Sequence, residues 1–366
     1  MAKALAYARE RQRFGVVTGW SQALAVLSFL GLGGLGLAQT GARWLAAPLG
    51  QIGVGLAFFA LLALLSGAFE LPFDLYATFV IEERHGFNRQ TPRGFVIDRL
   101  KGLALGAVLG GLLLGGLLWI MERSGAFWWL WAWGLVTAFS VLAAWAYPSV
   151  LAPLFNRFTP LPPGELAERI QSLADQVGFR TRGVFVMDAS RRSAHGNAYF
   201  TGVFGARRIV LFDTLLDGLA AQEVVAVLAH ELGHFKLRHV RWALLRGTLM
   251  TGAWLFTLSL CLASTPFYQA FRLSGPSSYA GLVVFGLWFG PVGFLLQPLA
   301  NHLSRRNEFA ADAFAVACCG GPRELGDALL KLRERSRSMP LAHPVYSRVY
   351  HSHPPLSERL AAMGYR

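Results

Sequence analysis

Long uncharged segments alternate with short charged ones along most of the chain. Six segments of at least 20 residues contain no Asp, Glu, Lys or Arg: Phe14–Ala42, Trp44–Phe69, Gly102–Met121, Ser124–Asn156, Gly247–Phe271 and Leu273–Ser304. Each can supply the roughly 20 apolar residues that an α-helix needs to cross a bilayer. The pattern therefore predicts six membrane-spanning helices.

The one long polar region, residues 153–242, has the patterns of a small folded domain. Apolar residues recur at helical spacing from Glu165 to Val177. Three short β-type runs follow, separated by the turn-rich sequences RRSAHG and GARR: Gly183–Met187, Asn197–Val203 and Arg208–Phe212. These patterns predict a helix and a small antiparallel sheet.

Three further helices are predicted outside the uncharged segments. Residues 213–240 have a helical pattern with an acidic first turn and a basic last turn, as the helix dipole prefers. Residues 304–319 follow the sixth span, and Leu356–Met363 lies near the end of the chain. The polar part is thus split in sequence by the fifth and sixth spans.

Four parts follow from this organisation. Residues 1–152 hold four spans and a polar elbow near 82–101, and residues 153–242 hold the sheet. Residues 243–304 hold two spans, and residues 305–366 complete the polar part. The predicted fold class is a predominantly α-helical polytopic membrane protein with a small α+β domain.

Composition supports a membrane protein. Hydrophobic residues make up 54% of the chain and charged residues only 15%, which is well outside the usual range for a soluble domain. The alternative, a large soluble enzyme with buried helices, would have to cover six such segments with protein alone, so it is disfavoured.

The net charge of +13 does not indicate nucleic-acid binding, because the basic residues lie in particular loops and not on one face. Basic residues cluster before the first span and between the second and third: Lys3, Arg9, Arg11, Arg13, Arg84, Arg89, Arg93, Arg99 and Lys101. The positive-inside rule then places both termini and the large loops in the cytoplasm. The first segment could instead be a signal peptide, but its uncharged run exceeds the roughly 7 to 15 residues of a signal core.

Residue usage bears on the host and on the cysteines. Arginine outnumbers lysine by 30 to 4, which together with abundant Ala, Gly and Leu indicates a GC-rich bacterial genome and an inner (plasma) membrane. The three cysteines, Cys261, Cys318 and Cys319, lack zinc-ligand spacing and are expected to be reduced packing residues.

The stretch VLAHELGHF, residues 227–235, contains the candidate metal-binding and catalytic residues. Positions four apart lie on one face of a helix, so His230 and His234 present both imidazoles to one point, as zinc requires. Glu231 can then take a proton from a water that the metal has acidified. The motif predicts one Zn²⁺ per chain in a zincin-like catalytic domain.

A third protein ligand is needed. His239 is the nearest candidate, but it lies nine residues after His230 and would point to the opposite side of a continuous helix. Glu308 is the better candidate, with Asp312 one turn further on the same face. One carboxylate would bind the metal, and the other would accept the ring N–H of a ligating histidine.

Seven ordered blocks resemble a known family, the integral-membrane zinc metalloproteases of the type I CAAX prenyl protease kind: IEERHGFNRQTPRGF, PLFNRFTPLPPGEL, SAHGNAYFTG, VLFDTLL, VLAHELGHF, SRRNEFAADAFA and HPPLSERL. The resemblance implies that His230, His234 and Glu308 bind zinc. Glu231 is then the general base and Asp312 the partner of a ligand. It further implies that Asn197 and His353 bind substrate and the developing oxyanion.

The expected activity is hydrolysis of peptide bonds at an enclosed site that faces the cytoplasm. The substrates implied are CAAX-type prenylated peptides or small membrane proteins, bound as an added strand along residues 197–203. Eukaryotic members of the family have seven spans, whereas six are predicted here. Two alternatives stay open: a non-catalytic chamber that binds lipidated peptides, and a zinc transporter, whose site would be expected at the membrane midplane.

Overall fold

The computed structural model describes residues 2–201, 207–271, 273, 276–337 and 342–365. Its α-helices are α1 Ala2–Gly31, α2 Gly34–Ala46, α3 Gly50–Tyr76, α4 Pro92–Arg123, α5 Trp128–Ala146, α6 Glu165–Val177, α7 Asp213–Leu216, α8 Ala221–Lys236, α9 His239–Cys261, α10 Thr265–Gln269, α11 Ser278–Cys319, α12 Arg323–Ser336, α13 Pro344–Tyr350 and α14 Leu356–Met363. Its strands are β1 Phe158–Pro160, β2 Val184–Met187, β3 Ala198–Thr201 and β4 Arg208–Phe212.

Six helical segments within the described residues are long and apolar enough to cross a membrane, as predicted: Lys3–Gly31, Gly34–Glu82, Pro92–Arg123, Gly125–Leu154, His239–Cys261 and Ser278–Cys319. Large apolar side chains point outward from them, for example Trp44, which is 83% exposed, and Leu295, which is 74% exposed. Lipid, and not protein, is the natural cover for such side chains.

The predicted first span is wrong in its boundaries. Helix α1 ends at Gly31, and Gly33 adopts φ 76°, a left-handed conformation that glycine accepts without strain. Helix α2 then folds back against α3 and buries Leu35, Ala38 and Ala42. Residues 34–42 therefore belong to a helical pair with α3 and not to the first span.

The small sheet is mixed, so the prediction that it is antiparallel is wrong. The strand order is β1-β2-β4-β3, with β2 and β4 parallel and the other two pairs antiparallel. The connection from β2 to β3 leaves space in the sheet for one strand between them. Strand β4 follows β3 in an antiparallel hairpin and occupies that space. Strand β3 lies at one edge, and residues 202–203 of the predicted run lie outside the described part of the chain.

The helix predicted over residues 213–240 is interrupted twice. Helix α7 ends at Leu216, α8 occupies residues 221–236, and α9 begins at His239. At the second break Arg238 has φ 59°, which turns the chain sharply between α8 and α9. The sequence carries no glycine or proline there, so the break could not be predicted from local propensity.

The sixth span and the predicted helix of residues 304–319 form one helix. Helix α11 runs for 42 residues from Ser278 to Cys319 and contains Pro291 and Pro298 in its apolar part. The predicted boundary between residues 304 and 305 therefore falls inside α11. Its second half joins the core of the α+β part, which packs α6, the sheet, α8 and α12 around buried Ile170, Leu211 and Leu228.

The elbow links the membrane helices to the sheet. After a wide helical turn, Ala77–Glu82, the elbow forms an isolated bridge between Asn88 and Ser193. The Arg89 N–H donates to the Arg192 carbonyl at 3.1 Å. These contacts hold the elbow against the segment that leads into β3.

Candidate metal centre

Helices α8 and α11 bring three donor side chains together. One ligand atom each of His230, His234 and Glu308 lies within 4.8 Å of the others. The two Nε2 atoms are 3.3 Å apart, and the Glu308 carboxylate oxygens lie 3.7 Å from the Nε2 of His230 and 3.4 Å from that of His234. His230 and Glu308 are buried, so the cluster lies largely out of contact with bulk solvent.

A glycine makes this convergence possible. Gly233 lies in α8 where α11 crosses it, and a Cβ atom at that position would be 3.2 Å from the Ala311 Cα and 3.1 Å from the Phe314 ring. Any side chain would therefore push against the backbone of α11. The close approach brings Glu308, one turn before Ala311, next to the two histidines.

Asp312 contacts the other side of the first histidine. Its Oδ1 lies 2.8 Å from His230 Nδ1, whereas Glu308 faces the Nε2 atoms. The Asp312 side chain is 1% exposed and accepts two hydrogen bonds from Arg359, at 2.6 and 2.8 Å. Glu308 therefore faces the donor cluster, and Asp312 contacts the second ring nitrogen of His230. The spacing of the two carboxylates in the sequence did not assign these two positions.

The acid–base properties of α8 suit metal chemistry. Burial lowers the pKa of His234 to about 4, and the nearby His230 acts in the same direction, so the ring is neutral near pH 7 and has a lone pair for a metal. Burial also raises the pKa of Glu231 above its ordinary value, an effect that Glu308 increases and His230 opposes. A base with a raised pKa holds a transferred proton better.

His353 and Asn197 have different relations to the cluster. His353 Nδ1 lies 2.9 Å from Glu308 Oε2, and its side chain is 68% exposed, so it approaches from the solvent side. The hydrogen bond to Glu308 raises the pKa of His353. Asn197 precedes β3, and its Oδ1 accepts from the Ala198 N–H at 2.8 Å. Among the described residues, Asn197 makes no hydrogen bond to the donor cluster.

The donor set fits zinc. Two imidazole nitrogens and one carboxylate oxygen are a common ligand set of catalytic zinc, which keeps a fourth position open. His230 also has a buried carboxylate on its second nitrogen, the arrangement that fixes the tautomer of a metal-binding histidine. The residues present therefore satisfy both the ligand and the orientation requirements.

The positions of two residues of this centre, Arg359 and His239, could not be predicted from the sequence. Arg359 lies on α14, in the HPPLSERL block, and its role depends on a contact between segments 47 residues apart. His239 was expected on the far side of a continuous helix, and that expectation is wrong. Because the chain turns at Arg238, His239 Nδ1 lies 3.0 Å from His234 Nδ1.

Family comparisons match the chain over nearly its whole length. A model described as the CAAX prenyl protease N-terminal region with five membrane helices matches residues 1–157. The model of peptidase family M48 matches residues 160–366.

Individual relatives agree with these matches. A CAAX prenyl protease 1 homolog of Arabidopsis thaliana is 40% identical over 295 residues, covering 80% of this chain and 69% of that protein. A CAAX prenyl protease 1 homolog of Homo sapiens is 34% identical over 352 residues, covering 86% and 74%. The crystal structure of S. mikatae Ste24p has a TM-score of 0.93 at 33% identity, covering 99% of this chain and 88% of that chain.

Six long apolar helices in the described part of the chain, and a His–His–Glu cluster on the helix that also carries Glu231 and on α11, define a membrane zinc metallopeptidase. The chain belongs to peptidase family M48 and, within it, to the CAAX prenyl protease 1 family. The predicted family, enzyme class and helical fold class are thereby confirmed. These relatives come from eukaryotes, so they do not support the predicted bacterial origin.

Proposed function

We propose that this chain hydrolyses peptide bonds in CAAX-type prenylated proteins at the centre formed by His230, His234 and Glu308. The observation that carries the proposal is the convergence of these three donors within 4.8 Å. The substrate class follows from the relatives, which are named CAAX prenyl proteases. Small membrane proteins are further candidate substrates.

Each side chain has a role that its position supports. His230, His234 and Glu308 would hold one zinc ion per chain, and Asp312 would keep the His230 ring in the tautomer that offers Nε2 to the metal. Bound zinc supplies Lewis acidity, which lowers the pKa of a water and polarises the scissile carbonyl. Glu231 would take the proton from the attacking water and pass it to the leaving amine.

His353 and Asn197 are proposed to bind substrate. The exposed His353 ring meets the cluster at Glu308, the side from which a peptide carbonyl would approach. The hydrogen bond to Glu308 raises the pKa of His353, a shift in the direction that favours a ring able to donate to the developing oxyanion. Asn197 lies at the start of β3 and would bind the backbone of a peptide that passes there.

Strand β3 is proposed to receive the substrate by strand addition. Residues 198–201 pair with β4 on one side and form the edge of the sheet on the other. An exposed strand edge offers backbone donors and acceptors to an extended peptide with little demand on its sequence. Such binding would suit an enzyme that acts on many carboxyl-terminal sequences.

The location of the enzyme is also a proposal. The basic residues of α1 and of the elbow favour a cytoplasmic catalytic part and cytoplasmic termini. Residue usage favours a bacterial plasma membrane. The four-part division of the chain, with a catalytic portion formed by residues 153–242 and 305–366, is likewise a proposal. The shared core of α8 and α11 supports joining the two polar parts, and α11 continues across the boundary between residues 304 and 305.

The proposal is tested by measuring how the purified protein cleaves two fluorescence-quenched peptides. One peptide is farnesylated at a cysteine near its end, and the other has no lipid. Glu231→Gln should retain zinc and lose about 10²- to 10⁴-fold in rate, because the general base is gone. Glu168→Gln, an exposed position on α6, is the matched control and should keep full activity.

The outcomes separate the proposal from its alternatives. Preference for the farnesylated peptide supports CAAX-type activity, whereas equal cleavage of both peptides would support a broader endopeptidase. Peptide binding without cleavage would favour a non-catalytic chamber. Zinc flux into vesicles would favour a transporter. The structure disfavours that alternative, because Glu308 lies in the half of α11 that joins the α+β core.

A further inference from the structure

The two histidines of the HExxH motif have different partners on their outer nitrogens. His230 Nδ1 lies 2.8 Å from the Asp312 carboxylate, and His234 Nδ1 lies 3.0 Å from Nδ1 of His239. Both Nε2 atoms face Glu308. Each ring therefore directs one nitrogen to the donor cluster and the other to a neighbouring side chain.

His239 reaches this position because the helix breaks. Helix α8 ends at Lys236, Arg238 adopts a left-handed conformation with φ 59°, and α9 starts at His239 itself. The two rings meet at an interplanar angle of 71° with their centroids 5.1 Å apart. This edge-on contact differs from a stacked pair and directs one ring nitrogen at the other.

Proton counting assigns the direction of this contact. If His234 gives the Nε2 lone pair to a metal, its Nδ1 carries the remaining proton and must donate it. His239 Nδ1 is the partner at hydrogen-bonding distance, so it accepts with its lone pair and keeps its own proton on Nε2. His239 lies on the opposite side of the His234 ring from Glu308 and is therefore not placed to bind the same ion.

We infer that His239 is a positioning residue of the zinc centre: it accepts the His234 Nδ1–H bond and thereby fixes the tautomer and the orientation of that ligand. The inference rests on the proposed function, since it requires zinc at the His230–His234–Glu308 centre. His230 is held by a carboxylate that Arg359 neutralises, and His234 is held by a neutral ring. The two ligands thus receive their second partners from different elements, α11 and the start of α9.

Three substitutions of His239 separate an acceptor role from a packing role. His239→Asn keeps a polar atom at the position of Nδ1, His239→Gln moves it to the position of Nε2, and His239→Phe keeps a ring without an acceptor. The zinc dissociation constant of each purified variant is measured by competition with a chelator. His343→Phe is the control, because His343 is an exposed residue before α13.

We expect His239→Phe to bind zinc about 10- to 100-fold more weakly, the usual cost of losing a partner of a metal-binding histidine. His239→Asn should stay within a few-fold of the parent, and His239→Gln should fall between them. The melting temperature of the metal-free Phe variant should match the parent, since its ring still fills the space beside His234.

Two results would overturn the inference. Parent-like zinc affinity in His239→Phe would show that no acceptor is needed, and equal losses in the Asn and Phe variants would show that the acceptor is not what matters. If the parent protein itself bound no zinc, the proposed function would fail as well. Tight binding by the parent with an unchanged Phe variant contradicts this inference alone.

Discussion

At the scale of single residues, Glu231, the proposed general base, illustrates how a catalytic role can conflict with stability. Burial raises the pKa of its carboxyl above the ordinary value of 4.5. An acid whose pKa is higher in the folded state binds protons more tightly there, so its ionisation at higher pH destabilises the fold. This loss of folding stability is absent at pH values below the ordinary pKa, and it grows as the pH rises above that pKa.

Glu231→Gln should therefore stabilise the metal-free protein at pH 8 and have little effect at pH 4, where the carboxyl is mostly neutral in both states. The measurement is the apparent melting temperature of chelator-treated parent and variant at both pH values. Glu168→Gln, at an exposed position, should change neither value. A lower melting temperature of Glu231→Gln at pH 8 would contradict a desolvated glutamate at this position.

Sequence spacing predicted the residues of the cluster but not all of its supporting contacts. The two histidines and Glu231 follow from helical periodicity, and Glu308 with Asp312 follows from the same rule on α11. Arg359 and His239 could not be found in this way. One depends on a contact between distant segments, and the other depends on a left-handed residue at Arg238, where propensity predicts a continuous helix.

At the scale of elements, the crossing of α8 and α11 determines the geometry of the centre. The sequence predicts both helices, yet it does not show that the second is the direct continuation of a membrane span. It also assigns no special role to Gly233, because a glycine inside a helix is commonly tolerated. The role becomes visible from the Ala311 backbone, because a methyl group on residue 233 would lie 3.2 Å from the Ala311 Cα and would require α11 to shift.

Gly233→Ala should weaken zinc binding and lower stability by about 1–3 kcal/mol, because overpacking displaces neighbouring backbone. The displaced element is α11, which carries Glu308. The control is Gly247→Ala in α9, where a Cβ would meet nothing within 4 Å. Chelator competition and thermal unfolding report the two effects, and matching values for the two alanine variants would contradict a close helix crossing at Gly233.

The sheet shows the limit of pattern analysis at this scale. Three of the four strands were predicted near their observed bounds, because alternation and turn residues are local signals. Strand order is not local: β4 lies between β2 and β3, and this placement makes the β2–β4 pair parallel. Strand β1 was missed because it is three residues long and ends in Pro160.

At the scale of the whole molecule, the membrane part and the catalytic part share an element. The same helix supplies the sixth apolar segment and Glu308, and the elbow between α3 and α4 contacts the segment before β3. A metal site built in this way is held by the membrane helices as well as by the α+β core. The pattern of six uncharged segments was enough to predict the membrane part, since a soluble fold could hardly cover so many apolar helices.

We propose that one zinc ion at His230, His234 and Glu308 gives this membrane protein its peptidase activity. The most direct test is to strip the purified protein with a chelator and follow cleavage of the farnesylated peptide as zinc is titrated back. We predict that cleavage disappears on stripping and returns in full at one equivalent of zinc per chain, with no recovery in Glu308→Gln at that concentration. Cleavage that persists in the stripped protein, or full recovery of Glu308→Gln at one equivalent, would contradict a zinc-dependent peptidase at this centre.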